Sequence, residues 1–319
     1  MSAVLFTLAL STLSCGFYLG VARRRRILDL PNERSSHSEP TPNGGGVPLL
    51  LAFFAGLVSA GFWGAGWSTA LVLLAGVASL LMVLGAADDL DGLPMPLRFL
   101  LYAIACAATA LYLLWDLPGV YVIAPAAALA MLWLLNLYNF MDGIDGIAGL
   151  QAVLACGGAA ALSGDAQYTL FCLSLAAAHA GFLVWNRPPA KLFMGDAGSV
   201  PTGFLCGGLA LLGWAGGQLE PAVWVILLAV FVVDASWTLV WRMATGQAFT
   251  SAHRLHAYQR LSRHWNSHAR VDLLFLAIGL FWLFPLAWAA HRYPAWGLFS
   301  VILAYAPLAF GMYRISHIK

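Results

Sequence analysis

The sequence contains few charged residues, and this scarcity excludes an ordinary soluble fold. Only 9% of the 319 residues are charged, whereas 61% are hydrophobic. A soluble domain is about 25% charged, so this chain lacks the residues for a normal water-facing surface. The net charge of +2 is too small to favour a nucleic-acid partner. No long polar stretch separates two regions, so we treat 1–319 as a single membrane-embedded domain.

Several common catalytic and metal-binding patterns are also missing. The five cysteines lie inside apolar runs without CxxC spacing, which is typical of small apolar residues facing lipid or protein. Cys/His spacing for zinc is absent, as are the GxSxG turn of many hydrolases and the phosphate-binding P-loop. These absences exclude the best-marked soluble enzyme classes.

Long apolar runs dominate what is present. A bilayer-spanning helix needs about 20 apolar residues, and membrane-embedded backbone must be helical or form a closed barrel. The runs are continuous and do not alternate, which favours helices. We therefore predict an all-α, polytopic transmembrane helical bundle of about eleven helices, at approximately 2–22, 47–63, 68–87, 97–115, 119–138, 147–163, 167–185, 199–215, 221–241, 271–290 and 296–313.

The distribution of Lys and Arg predicts the orientation in the membrane. Arg23 to Arg26 follow the first apolar run and do not precede it, which is typical of a retained helix and not of a cleaved signal peptide. With the N-terminus outside, only Arg292 falls on the outer face, as the positive-inside rule favours. We expect a bacterial inner-membrane protein with a cytoplasmic C-terminus and its functional residues on the cytoplasmic face.

Two of the predicted cytoplasmic connections are acidic. Asp88, Asp89 and Asp91 end an apolar helix, where carboxylates repel one another unless a cation lies among them; a solvated acidic turn is the alternative. In 136–146, Asn139, Asp142 and Asp145 would share one side of a helix if the segment were helical. A capped turn is the alternative there, although polar groups between such apolar helices are usually functional.

Three further connections combine glycine, basic and aromatic residues. The first, 31–46, contains a Gly-rich run that would let backbone approach a ligand, unless it is a plain flexible loop. The second, 186–199, contains two cations, an aromatic residue and Asp196. The third, 246–270, is rich in Arg and His, which suit phosphate but also occur in ordinary cytoplasmic loops. Asp234 stands inside an apolar helix and is either functional or a helix-packing residue.

At these motifs the sequence resembles the polyprenyl-phosphate N-acetylhexosamine-1-phosphate transferases, glycosyltransferase family 4. The resemblance follows the motifs in order along nearly the whole chain, with Asn139–Gly146 and Phe193–Ser199 as the most specific segments. It implies that a sugar 1-phosphate passes from a UDP-N-acetylhexosamine to undecaprenyl phosphate, with release of UMP. It also implies a Mg²⁺ cofactor, with Mn²⁺ as an alternative, and the lipid bilayer and a homodimer as partners.

The resemblance assigns roles to matching positions. Asp88, Asp89 and His256 are the expected catalytic residues, and Asp196 and Asp142 the expected metal ligands. The expected substrate-binding residues are Asn139, Asp145, Phe193, Asn186, Lys191 and Arg254. Of these, Asp145 would face the uracil edge and Phe193 would stack on the uracil ring.

The segment His253 to Tyr258 departs from one branch of the family. It lacks the Pro-Leu-His-His-His stretch of the peptidoglycan enzymes and is more similar to the O-antigen-initiating and common-antigen-initiating members. Small donors such as UDP-GlcNAc and its 6-deoxy relatives are therefore expected. Two other interpretations stay open: a secondary transporter, which Asp234 would suit, and an intramembrane aspartyl protease, which Gly195-Asp196 partly matches.

Overall fold

α-Helices make up most of the protein. A computed structural model describes residues 1–31, 39–62, 64, 66–247 and 254–316. The helices in this part of the chain are α1 (Ser2–Arg25), α2 (Gly46–Phe62), α3 (Thr69–Asp91), α4 (Met95–Leu114), α5 (Val120–Met141), α6 (Ile147–Leu162), α7 (Ala166–Asn186), α8 (Asp196–Ala215), α9 (Pro221–Leu227), α10 (Ala229–Ala244), α11 (Ala257–Trp265), α12 (His268–Ile278), α13 (Phe284–Arg292) and α14 (Gly297–Ser316). A π-helical segment, Gly279–Leu283, joins α12 to α13, and a 3₁₀ turn, Pro294–Trp296, precedes α14.

Nine of the eleven predicted apolar segments each fall on one helix, whereas 221–241 is divided between α9 and α10, and 271–290 between α12 and α13. Among the described residues, eight stretches are long and apolar enough to cross a bilayer. The count rises to nine, below the predicted number of about eleven, if α9 and α10, which are bent by 71°, are taken as one span. The two remaining segments, α2 and α6, are apolar but shorter, at 17 and 16 residues. The predicted all-α, polytopic membrane fold is confirmed.

The structure adds elements that the hydrophobic runs do not reveal. Strands β1 (Leu28–Asp29) and β2 (Thr41–Pro42) form a small antiparallel pair after α1. Helix α11 lies within the connection that the sequence analysis treats as a basic loop. Its buried residues include Tyr258 and Leu261, while Arg263 and His264 are exposed. This pattern is an amphipathic surface helix, too polar to be recognised as a membrane span.

Helix α8 lies at the centre of the bundle and begins at the polar end where the candidate site forms. In its most apolar stretch of 18 residues, 78% of the residues are buried. Two glycines allow neighbouring helices to approach its first turn. A side chain at Gly46 would clash with the backbone of Gly198, and one at Gly85 would clash with the Asp196 carbonyl. Backbone approach this close requires glycine, so the start of α8 is held between α2 and α3.

Candidate functional site

All five unusual connections meet at one end of the bundle. The 31–46 connection contacts the 186–199 connection through Phe193, whose N–H donates to the Pro42 carbonyl at 2.8 Å and whose carbonyl accepts from Gly45 N at 2.8 Å. The 136–146 connection contacts the fifth connection, because the Tyr258 hydroxyl donates to the Phe140 carbonyl at 3.0 Å. The predicted grouping on one face is therefore present in the fold. The residues 32–38 and His253 lie outside the described part of the chain.

Asp196 is the residue on which three of these connections converge. It occupies the first turn of α8, after Gly195 at φ 72°. Its Oδ1 accepts a 2.7 Å hydrogen bond from Asn139 Nδ2 at the end of α5. Its Oδ2 lies 3.2 Å from the Arg98 guanidinium in the first turn of α4. Arg98 also forms an ion pair with Asp88, so one cation links the predicted catalytic Asp88 to the predicted metal ligand Asp196.

The two adjacent aspartates of α3 have different partners. Asp88 faces Arg98 and accepts from Leu93 N at 2.7 Å. Asp89 instead accepts the backbone N–H groups of Asp196 at 2.9 Å and of Ala197 at 3.1 Å. Its carboxylate therefore caps the N-terminus of α8 from another helix, a contact of about 1 kcal/mol in ordinary N-caps. Both residues lie within the last turn of α3 and not after it, because the helix continues to Asp91.

The 136–146 connection is helical only as far as Met141, so Asn139, Asp142 and Asp145 do not share one helix face and the alternative of a turn applies. Helix α5 ends at Met141, and Asp142 takes a non-helical conformation at its C-terminus. Gly146, at φ +83°, provides the turn that leads into α6. Because the chain turns here, Asn139 contacts Asp196, whereas Asp145 contacts Ala190 and His268.

Asp142 retains its place among the acidic residues. Burial, together with the smaller effect of the charges on Asp196, Asp89 and Asp145, raises the pKa of its carboxyl to about 7. The smaller effect shows that Asp142 lies among other negative charges. A cation bound here would relieve the repulsion.

Asp145 and Asn186 join the start of α6 to the 186–199 connection. Asp145 Oδ2 accepts from Ala190 N at 3.0 Å and lies 3.2 Å from His268 Nδ1. Asn186 is buried, accepts from Gly146 N at 3.0 Å and donates to the Leu192 carbonyl at 2.9 Å. Its amide therefore holds two loops together. The predicted role in substrate binding does not include this structural contact.

The structure also brings in residues that the sequence interpretation did not select. Arg98, His268 and Asp272 are not among the site residues that the sequence predicts. The Asp272 carboxylate lies against Gly146, and its buried Oδ1 has no hydrogen-bond partner among the described residues. The sequence could have identified these residues because they are charged and lie at the ends of apolar helices, beside the predicted site.

His256 lies at the start of α11 and contacts a membrane helix. Its Nδ1 is 3.1 Å from Asp234 Oδ1, and its ring stacks on Tyr258 with centroids 5.6 Å apart. Asp234 lies in α10 and is fully buried. It therefore belongs to the same structural unit as the predicted catalytic histidine.

Two of the cavities among the described residues adjoin the connections that form the site. One, of about 510 Å³, is lined by Asp145, Pro188, Arg254, Arg263 and His268, among others. Partial desolvation and the neighbouring Arg254 and Arg260 lower the pKa of Arg263, which marks a cation-rich wall suited to an anion. The other, of about 330 Å³, contains Lys191 together with Arg23 and Glu39. The structure therefore does not bring Lys191 to the cavity that Arg254 lines.

The sequence is similar to those of known proteins. Residues 70–214 match the model of glycosyl transferase family 4, a segment that includes Asp88, Asp89, Asn139, Asp145 and Asp196. Over these residues, the chain is similar to this family.

Individual members of glycosyl transferase family 4 match with different coverage. The probable undecaprenyl-phosphate N-acetylglucosaminyl 1-phosphate transferase of Bacillus subtilis (strain 168) is 28% identical over 81% of this chain and 76% of its own length. Phospho-N-acetylmuramoyl-pentapeptide-transferases of Granulibacter bethesdensis and Geobacillus sp. (strain WCH70) are 34% and 35% identical over 31% and 40% of this chain. The matched segments span 27% and 40% of those two relatives.

The carboxylates in the described residues do not form a ready-made metal cage. In the described part of the chain, no group of three or more His, Cys, Asp or Glu side chains is arranged to hold a metal ion. A Mg²⁺ ion commonly takes only one or two protein carboxylates and completes its octahedron with phosphate oxygens and water. Asp196 and Asp142 suit that mode, because one is oriented by Asn139 and the other lies among further negative charges.

Proposed function

We propose that this protein transfers an N-acetylhexosamine 1-phosphate from a UDP-sugar to undecaprenyl phosphate and releases UMP. In this reaction an oxygen of the lipid phosphate attacks the β-phosphorus of the UDP-sugar, and the bond from that phosphorus to the bridging oxygen breaks. The product is a lipid-linked sugar diphosphate in a bacterial inner membrane. We further propose that it begins a cell-surface glycan of the O-antigen type.

The observation that carries this proposal is the convergence on Asp196. Asn139 Nδ2 at 2.7 Å and the Arg98 guanidinium at 3.2 Å come from the ends of two other helices. Carboxylates and a cation at one end of an apolar bundle suit a diphosphate that must meet a membrane-anchored acceptor. The match to glycosyl transferase family 4 over residues 70–214 includes this group.

Asp196 and Asp142 are the residues that would hold Mg²⁺ or Mn²⁺. Such an ion supplies Lewis-acid stabilisation of the charge that develops on the diphosphate oxygens. Asn139 keeps the Asp196 carboxylate in one orientation, and Ser199 accepts a second hydrogen bond from the same amide at 2.9 Å. Phosphoryl transfer depends mainly on such positioning and electrostatics.

The remaining residues divide between the two substrates in this proposal. Asp88, which is paired with Arg98, would engage the lipid phosphate, while Asp89 supports the start of α8. Asp145 and the cavity beside it would receive the nucleotide end of the donor, with Phe193 as the stacking ring. Arg254 and His256, in the α11 region, would face the diphosphate and sugar end.

The small-donor preference rests on the segment around α11. Residues 254–258 carry Arg254, His256 and Tyr258 where the peptidoglycan branch has consecutive histidines, and Tyr258 is buried and hydrogen-bonded to α5. We therefore propose UDP-GlcNAc or a 6-deoxy relative as the donor. A large lactyl-peptide donor would not be productive.

A transporter is the less favoured function. Asp234 was the carboxylate that suited a proton relay, but it accepts four hydrogen bonds from neighbouring groups. A carboxylate in a proton relay must pass its proton to neighbouring groups along a pathway. The Asp234 carboxylate is instead held by hydrogen bonds to groups of the fold. The described acidic residues of the site lie instead near the helix ends.

Release of UMP is the direct test. Purified protein would be incubated with UDP-GlcNAc, undecaprenyl phosphate and Mg²⁺, and UMP measured with and without the lipid. We expect UMP release that requires both lipid and metal. Lipid-independent release would indicate a hydrolase, and the absence of release with every small UDP-N-acetylhexosamine would contradict the proposal.

A further inference from the structure

A single buried carboxylate links the membrane core to the cytoplasmic-side helix α11. Asp234 lies in α10 and has no exposed surface. Its Oδ1 accepts from Ala257 N at 2.9 Å and from the Thr238 hydroxyl at 3.2 Å, and it lies 3.1 Å from His256 Nδ1. Its Oδ2 accepts from Tyr258 N at 3.0 Å. Isolated charge is costly inside a membrane protein, so four donors gathered on one carboxylate indicate a specific task.

The first part of this task is to complete the N-terminus of α11. His256 is the N-cap residue of α11, and its side chain makes no capping hydrogen bond. The first backbone N–H groups of a helix have no partner within the helix. Asp234 supplies the missing acceptors for Ala257 and Tyr258 from another element, and negative charge is favourable at a helix N-terminus. Helix α11 is therefore anchored to α10 at its first turn.

The second part is to orient the His256 ring. Both Asp234 oxygens accept backbone N–H donors, which fits an acceptor-only carboxylate. The contact at 3.1 Å then places the imidazole proton on Nδ1, and Nε2 is the basic ring nitrogen. The stacked Tyr258 ring restricts rotation of the imidazole from one face.

The same helix turn also touches the aspartate-containing connection after α5. The Tyr258 hydroxyl donates to the Phe140 carbonyl at 3.0 Å, two residues before Asp142. A side chain at Gly143 would clash with that hydroxyl, so the two segments are in close contact. A displacement of α11 would therefore move His256 relative to Asp142.

We infer that Asp234 is a positioning residue that fixes His256 and the start of α11 relative to the site aspartates. The inference rests on the proposed function for its catalytic consequence, but its structural content is independent of that function. Asp234 does not touch the substrates and exchanges no proton with them. It acts through two backbone N–H groups and one imidazole nitrogen.

Hydrogen–deuterium exchange tests the anchoring without any activity measurement. In the intact protein, the amides of Ala257 and Tyr258 should exchange at least about tenfold more slowly than unstructured amides, although first-turn amides are normally exposed. Fast exchange of both amides in the unaltered protein would overturn the inference, whatever the behaviour of any variant.

The variant for this test is Asp234→Asn, with Thr238→Val as the matched control. Asparagine keeps the size of the side chain but replaces one acceptor oxygen with a donor that faces an N–H group. We expect exchange at Ala257 and Tyr258 to rise about tenfold or more. Thr238→Val removes only the 3.2 Å contact and should leave both amides protected. An equal rise in both variants would show general loosening of α10 and contradict the inference.

Kinetics then test whether Asp234 acts through His256. A displacement of about 1 Å at a catalytic group can cost about 100-fold in rate, so Asp234→Asn should lower kcat by about this factor with a much smaller change in KM. In a His256→Gln background, Asp234→Asn should lower kcat by less than about threefold, because coupled residues are not additive. Fully additive losses would overturn the positioning role.

The two proposals fail in different ways. If the unaltered protein releases no UMP from any small UDP-sugar, the proposed function is wrong and the catalytic role of Asp234 falls with it. The exchange result still decides whether Asp234 anchors α11. If transfer is present but Asp234→Asn retains full kcat, only the inference about Asp234 is wrong.

Discussion

Asn139 Nδ2 donates to Asp196 Oδ1 at 2.7 Å and to Ser199 Oγ at 2.9 Å. The amide at the end of α5 therefore fixes the carboxylate and the hydroxyl that stand one turn apart at the start of α8. Because these contacts form within the protein itself, the carboxylate is oriented before any substrate arrives. Preorganised groups of this kind need no rearrangement when charge develops in a transition state.

Asp196→Asn should abolish transfer while the protein stays folded. The substitution keeps the shape of the side chain but removes the charge that a hard cation needs. The measurement is UMP release across a Mg²⁺ titration. Asp91→Asn is the control, because Asp91 is an exposed acid in the last turn of α3. Retention of most activity by Asp196→Asn at any Mg²⁺ concentration would show that Asp196 is not the ligand.

Asp88→Asn and Asp89→Asn should both abolish turnover, but for reasons that a stability measurement separates. Asp89 caps α8 through two N–H groups, so its loss should also destabilise the fold by about 1 kcal/mol. Asp88→Asn should lower the melting temperature less, and Asp91→Asn should be milder in both assays. Equal, total loss of turnover in all three variants would show that the acidic cluster acts collectively.

Arg98→Gln should lower kcat at least about tenfold, because removing one partner leaves Asp88 and Asp196 without a shared cation. Arg98→Lys should recover part of that loss, since a point charge replaces a planar fork that contacts two carboxylates. Steady-state UMP release measures both. Arg24→Gln, at an exposed arginine of α1, is the control and should be silent. An unchanged kcat in Arg98→Gln would remove Arg98 from the site.

Cysteine labelling tests the predicted orientation. The five native cysteines are buried, so they should give little background with a membrane-impermeant reagent. A cysteine at the exposed Arg292 should react from outside intact cells, whereas one at the exposed His264 should react only after permeabilisation. External labelling at His264 would reverse the topology and place the site on the wrong face for a cytoplasmic nucleotide sugar.

The donor preference is tested by kcat/KM for UDP-GlcNAc, UDP-FucNAc and UDP-MurNAc-pentapeptide. A pocket strongly rejects an analogue that lacks one hydroxyl only if buried polar groups of the pocket form hydrogen bonds with that hydroxyl in the normal substrate. We expect the two small donors to differ by less than about 100-fold, with the pentapeptide donor far poorer. A preference for the pentapeptide donor would overturn the subgroup assignment. Activity with only one small sugar would contradict only the modest selectivity.

Sequence patterns predicted the helices well because the apolar runs are long and bilayer length limits the choices. The same patterns could not find α11, whose nine residues are amphipathic and largely polar. They also could not place Asp145, because the break at Gly143 and Gly146 sends it away from Asn139. Turns depend on backbone angles that hydrophobic periodicity does not report.

The sequence predicted which residues lie in the candidate site, but it did not predict which contacts each of them makes. Asp88, Asn139 and Asp196 do converge, as their motifs suggested. Asp89 and Asn186, in contrast, use their side chains on backbone groups of α8 and of two loops. Which of two adjacent carboxylates faces a cation depends on how α3 packs against α4 and α8. That information is in long-range contacts and not in any local motif.

The two carboxylates that cap other helices also set an order of assembly. Asp89 precedes α8 in the chain, and Asp234 precedes α11. During synthesis, each acid therefore emerges and inserts with its helix before the N–H groups that will bind it exist. Until the later helix docks, each carboxylate must remain hydrated or protonated, because burying it unpaired is costly. Arrival of the later helix completes the polar contacts of the earlier one, so neither carboxylate has all of its partners until a helix made after it has docked.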